Sequence, residues 1–339
     1  MKKDLSESTG ISRRYFMGST ATAIAGLIAI PVFSFGAPAY LKNLGKPNSK
    51  IKGVQIGAIT YSFRSMENDA ESILKYCVDS GVSAIELMGY TAEDFSGAPQ
   101  MHQAGSLPKR EDMSAAEKKE MKEMRAVYAK KLAEWRSSVS MDKFKQLRKM
   151  YKDAGVSIYA WKPSALGISN TDAEIDYACR AAKVLGADHV TIELPKDNAH
   201  TQRLGNLASK HKIKVGYHGH LQQTFTSWDE ALNQSKYNAL NCDIGHYVAA
   251  GFDPLPLLKA KHAQIVSMHI KDRQSKANGQ ANLPWGQGDT PLVEVLRLMR
   301  DQKYKFPATI ELEYKIPEES DAVKEVAKCL EFCRKALES

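Results

Sequence analysis

Cysteine is scarce and scattered in this 339-residue chain: Cys77, Cys179, Cys242, Cys329 and Cys333, with no C-x-x-C pair. The spacing excludes the common structural zinc motifs, and the odd number does not demand a disulfide framework. Cys329 and Cys333 stand four apart in a helical pattern, which places both on one inner face as buried thiols. A glycine-rich phosphate loop is also missing, since ITYSFRS continues the first strand-like stretch. That argues against an open, doubly wound dinucleotide-binding sheet. Beyond the first forty residues there is no long apolar run, so the body of the chain offers no membrane span. The formal net charge is +8, but Lys109 to Lys152 alone holds fourteen Lys/Arg against seven Asp/Glu. In that segment the signs alternate at helical spacing, as on solvated helix faces, and no nucleic-acid groove is expected.

The amino terminus carries an address. SRRYFMG (12–18) has twin arginines behind a short basic start, followed by TATAIAGLIAIPVF and the small residues Ala37, Pro38 and Ala39. This is the pattern of a twin-arginine export signal over 1–39, with a linker over 40–52. The mature chain of roughly 300 residues is then expected in the periplasm, without stable membrane insertion, and has the size of one (β/α)₈ barrel.

The rest of the chain alternates. VQIGAITYSF (54–63), SAIELMGY, VSIYAWKPS (156–164), HVTIELP (189–195), KVGYHGH (214–220), NALNCDIGH (238–246), QIVSMHIKDR (264–273) and ATIELEY (308–314) read as strands, with helical patterns between them. Eight βα units predict a closed TIM barrel over 53–339, with a charged helical insertion at about 99–150 after the second strand.

Ionisable residues collect where these strands end. SMHIKDR sets His269, Lys271 and Arg273 at alternate positions, all facing one way. Lys162, Glu193, His218, His220, Asp243, His246, Glu311 and Glu313 occupy similar places. In a barrel these ends form one rim, so residues distant in sequence converge on one cavity. Glu193, Asp243 and Glu311 with the imidazole of His269 would repel one another without a cation, and suit Mn, Mg, Co or Zn. A divalent ion there activates a carbonyl for removal of the neighbouring proton.

DIGH, then MHIKD about 25 residues later, GQGD and finally IELEY resemble the xylose isomerase-like TIM-barrel superfamily of sugar isomerases, epimerases and inosose dehydratases. The resemblance implies Asp243, His269 and Glu311 as metal ligands, His246 as a substrate-facing histidine, and Lys271 and Arg273 near sugar hydroxyls. Trp285 and Glu313 join them as substrate-contact candidates. Where many epimerases of the family have a glutamate on the fifth strand, this chain has YHGH, so Glu193, His218 or His220 completes the metal site. The departure puts a two-glutamate epimerase in doubt and turns attention to lyase-like branches. His218, His220, His246 and Lys162 are the acid–base candidates. Three functions follow: an isomerase or epimerase acting α to a carbonyl of a carbohydrate, or a lyase or dehydratase of keto-sugars or 3-keto-glycosides on the same site; a non-catalytic sugar-binding barrel; and a metal-dependent phosphodiesterase. The oligomeric state is left open.

Overall fold

The computed structural model describes residues 38, 45–101 and 113–339. The twin arginines and the apolar stretch behind them lie outside these residues. Eight parallel strands form the centre: β1 (Val54–Ile59), β2 (Ala84–Met88), β3 (Ser157–Lys162), β4 (His189–Glu193), β5 (Lys214–His218), β6 (Asn238–Asp243), β7 (Ile265–Ile270) and β8 (Ala308–Ile310). Each pairs with the next, and β8 pairs with β1, so the sheet closes into a (β/α)₈ barrel.

Period-two alternation sorts each strand into two faces. Ile85, Leu87, Val190, Val215, Leu240, Met268 and Ile310 are buried in the hydrophobic core. Their alternates fill the lumen, where partners from non-adjacent strands meet: Tyr159 with Thr309 at 2.7 Å, and His189 with Ser267 at 2.9 Å. Gly57 leaves room for the first pair, since a Cβ there would lie 2.7 Å from the Tyr159 ring.

Local signals set the helix ends. Asp69 caps the helix Ala70–Asp79, and Thr171 with Glu174 forms a capping box for Asp172–Leu185, which stops at Gly186 with φ +90°. All five cysteines are free and buried, as their scatter implied.

Among the described residues between β2 and β3 stand three helices, Gly89–Phe95, Ala115–Ser138 and Asp142–Asp153. The last buries Phe144, Leu147, Met150 and Tyr151 as an ordinary barrel helix does, whereas the charged middle helix is mostly exposed. Several strands end sooner than the apolar runs imply. β8 stops at Ile310 because the following backbone turns to side chains: Leu312 N–H donates to Ser62 Oγ, and Arg64 donates to Leu312 O. β7 stops at Ile270, and Asp272–Arg273 then pairs with Asn282–Leu283 in a short hairpin.

Candidate metal and substrate site

His269 and Lys271 leave β7 on its inward face, as the alternation required. His269 is fully buried between carboxylates, with Nδ1 3.0 Å from Glu311 and Nε2 2.8 Å from Glu86. Burial works against its charge, but Glu86 and Glu311 outweigh that and raise it to about 10. Glu86, on β2, is held the other way, down to about 2, with His269 as the main opponent of its burial. Thr191 Oγ1 donates to Glu86 at 2.6 Å and Asn241 Nδ2 at 3.1 Å.

Asn241 also reaches the opposite corner, where its Oδ1 lies 3.4 Å from Nδ1 of His218. Burial pushes His218 down to about 3, helped by the positive charges of His269 and Lys162. With the Nδ1 proton directed at Asn241, the Nε2 lone pair faces Asp243 Oδ2 at 3.9 Å. Asp243 begins the helix Ile244–Ala249, and its Oδ1 accepts the His246 N–H at 2.7 Å. Its Oδ2 is buried without a hydrogen bond of acceptable geometry, although Lys271 Nζ lies 3.0 Å away. Ligand atoms of His218, Asp243, His269 and Glu311 all lie within 4.8 Å of one another. A lone pair aimed at a carboxylate oxygen that accepts no hydrogen bond is an arrangement a cation between them relieves, beside the charge that Lys271 already supplies. The donor set therefore fits a divalent ion.

The fourth corner of this quartet is His218, not Glu193. The two are register partners on β5 and β4, but Glu193 is half exposed and turns outward to Lys162 at 2.7 Å and His220 at 2.8 Å. Burial would raise Glu193, yet the His220 bond and the charges of His218 and Lys162 hold it well below the carboxylate range. The bond to Glu193 in turn raises His220.

The other rim residues divide. Lys271 Nζ is shared by Asp243, Glu311 at 2.5 Å and Glu313 at 2.8 Å; burial opposes its charge, but these three carboxylates keep it cationic. Its stem passes over Gly245, where a Cβ would collide with Lys271 Cγ, which explains the glycine of DIGH. Arg273 donates to Gln280 O and to His246 Nδ1. The His246 proton therefore sits on Nε2, which is buried without a partner 3.9 Å from Glu313. Burial, then Lys271, lowers His246 to about 2, so it is neutral. Trp285 instead meets Phe332 of the helix Ala322–Glu338 edge-on at 5.6 Å.

Glu86, Asn241 and Asp272 were not among the residues the sequence singled out. A lone glutamate inside the apolar run AIELM was the available signal for Glu86. Asp272 explains why HIKD and GQGD occur together: its carboxylate accepts the backbone N–H groups of Gly286, Gln287, Gly288 and Thr290.

A closed parallel barrel with a buried histidine–carboxylate cluster at the carboxyl ends of its strands has the layout of a TIM-barrel enzyme. The chain belongs to the xylose isomerase-like TIM barrel family, whose profile matches residues 74–335. No curated protein sequence matches it significantly. Among solved structures it is similar to a probable 3-DHS dehydratase, AsbF, of petrobactin synthesis in Bacillus anthracis, at 16% identity over 82% of this chain and 97% of that one, with a TM-score of 0.56. The 3-keto-D-glucoside 4-epimerase YcjR from E. coli aligns at 11% identity over 83% and 99%, with a TM-score of 0.55. The IOLI protein with a bound zinc atom aligns at 17% identity over 83% and 98%, with a TM-score of 0.53. At these identities the likeness is one of fold.

Proposed function

We propose that this chain is a divalent-metal-dependent enzyme that acts on a carbohydrate by removing a proton α to a carbonyl. The observation that carries the reading is the buried quartet of His218, Asp243, His269 and Glu311, whose ligand atoms all lie within 4.8 Å of one another. These four residues would hold the ion, and the zinc bound by the IOLI protein, a similar fold, agrees with that role. Two imidazoles beside two carboxylates favour Mn, Co or Zn over Mg. Once bound, the ion supplies Lewis acidity toward a carbonyl oxygen.

The neighbouring side chains do the rest. His246 Nε2–H, fixed as a donor by Arg273, offers a hydrogen bond to a substrate oxygen, and Lys271 Nζ, held by Asp243, Glu311 and Glu313, supplies positive charge beside it. His218 is engaged in the quartet and His246 is too weak a base at about 2. His220 is therefore the preferred proton carrier: it is half exposed, and Glu193 orients it while Lys162 holds Glu193. Reprotonation of the carbanion gives isomerisation or epimerisation, and loss of a β-substituent gives elimination. With Glu311 in the quartet, Glu193 tied to Lys162 and His220, and Glu313 to Lys271, none of these three carboxylates is free to form an opposed pair, which favours the lyase reading.

Asp243→Ala or His269→Ala should abolish metal binding with the fold retained, measured by metal analysis and circular dichroism. His220→Ala should keep the metal and slow exchange of the α-proton in deuterated water roughly 10²- to 10⁴-fold against a panel of keto-sugars. Full metal occupancy in the first two variants rejects the quartet; undiminished exchange in the third rejects His220.

We also propose export to the periplasm, supported by Arg13 and Arg14 ahead of a short apolar stretch. Replacing both by lysine should leave precursor in the cytoplasm, and unchanged export rejects the assignment.

A further inference from the structure

The helix Ala115–Ser138 is long for what it buries. Of its 24 residues only Met121, Leu132 and Arg136 are buried, and Trp135 adds an edge-on contact with Tyr177 at 6.0 Å, a narrow apolar seam for so long a helix. Charge adds to that hold. Arg136 is 2% exposed and donates to both oxygens of Glu93 at 2.8 and 3.2 Å, to Glu174 at 3.0 Å and to Ser164 Oγ at 2.6 Å. Glu93 lies just after β2 and Ser164 just after β3. One guanidinium thus ties the helix to the short helix Gly89–Phe95, to the segment after β3 and to the helix Asp172–Leu185.

Between helix and loops lies a cavity of about 340 Å³, at the small end of the roughly 300–1,000 Å³ range of ligand sites and enough for one ring. Tyr90, Tyr128, Leu132 and Pro163 give it flat, largely apolar walls, and Glu93 and Asp94 add carboxylates. Lys162 also lines it, and Lys162 reaches Glu193 in the proposed reaction site. Lys162 is thus common to the cavity and that site, and the cavity lining contains none of the quartet.

We infer that this cavity is a subsite for a second ring joined to the sugar at the quartet, so that the substrate is a glycoside or disaccharide rather than a free monosaccharide. The inference rests on the function proposed above. Tyrosine rings present an apolar face with a polar tip, which suits the flat face of an aryl group or a pyranose with its hydroxyls at the edge. Glu93 is already paired with Arg136, so the wall sets Asp94 against Lys162 and offers no cluster of cations to a phosphate substituent.

The test is calorimetric titration of the manganese-equilibrated protein with phenyl and methyl glycosides of glucose, galactose and xylose, with cellobiose and with glucose 6-phosphate. At least one phenyl glycoside or the disaccharide should bind about tenfold or more tightly than its methyl counterpart. Tyr128→Ala, and Leu132→Arg, which fills the space, should each remove that preference with unchanged manganese stoichiometry and thermal transition. Should Leu132→Arg fail to fold, Tyr128→Ala decides alone. Equal or absent binding across the wild-type pairs overturns the subsite, as does a preference surviving in the folded variants or tightest binding of the phosphate. Ring preference in a protein that binds no manganese would reject the metal reading and leave the subsite standing.

Discussion

Asn241 makes two hydrogen bonds with one amide, donating to Glu86 and accepting from His218, and so links two corners of the quartet through a residue outside it. Glu86 completes the link by accepting from His269 Nε2, which leaves Nδ1 directed at Glu311 and Asp243. A carboxylate on the far nitrogen fixes the ring and strengthens the near nitrogen as a ligand. Glu86→Gln is therefore expected to weaken metal binding roughly 10- to 100-fold, the usual effect of losing such a partner. Competition titration with a chelator measures it; unchanged affinity would mean that His269 needs no such hold.

At the level of elements, the charged helix, the short helix Gly89–Phe95 and the segment after β3 share one buried cation. Removing Arg136 leaves Glu93 and Glu174 buried without their shared partner. Arg136→Ala should destabilise the protein by about 3–5 kcal/mol, as breaking a buried pair typically does. Urea unfolding is the measurement, and a change within about 0.5 kcal/mol, the size of an ordinary surface substitution, would show that the helix is held by something else. The loop after β7 follows a similar rule, because four backbone N–H groups around GQGD converge on Asp272. This ordering also holds Arg273 in place, since its N–H donates to Thr290 at the end of the same loop.

For the molecule as a whole, the rim sets a pH optimum for the metal-free fold. His218 and His246 fall from 6.5 to about 3 and about 2 on folding, so between those values the unfolded chain binds more protons. Stability is thus lost as pH drops below about 6.5, and Glu86, lowered from 4.5 to about 2, adds to the loss below about 4.5. His269 runs the other way: raised to about 10, its contribution is complete below 6.5 and fades as pH climbs toward 10. Thermal midpoints measured in chelator across pH 4 to 10 should peak near 6.5. A flat profile would contradict the neutral state assigned to the two buried histidines.

The barrel was legible from end to end in the alternation of eight apolar runs with helical patterns, and so was the side of β7 that carries His269 and Lys271, because a strand's period depends only on its own backbone. Asp243, His269 and Glu311 could be named together from their strand ends, and the charged insertion could be read as a solvated helix. What the alternation left open was which neighbour of those three turns inward. Glu193 and His218 are level in register, and only the position of Lys162 and His220 draws Glu193 aside and leaves His218 beside Asp243. Glu86 lies 183 positions from His269, on a strand that is not its neighbour. Their contact exists because the sheet closes on itself, and the stagger that decides which side chains share a layer is a property of the closed barrel rather than of any one strand.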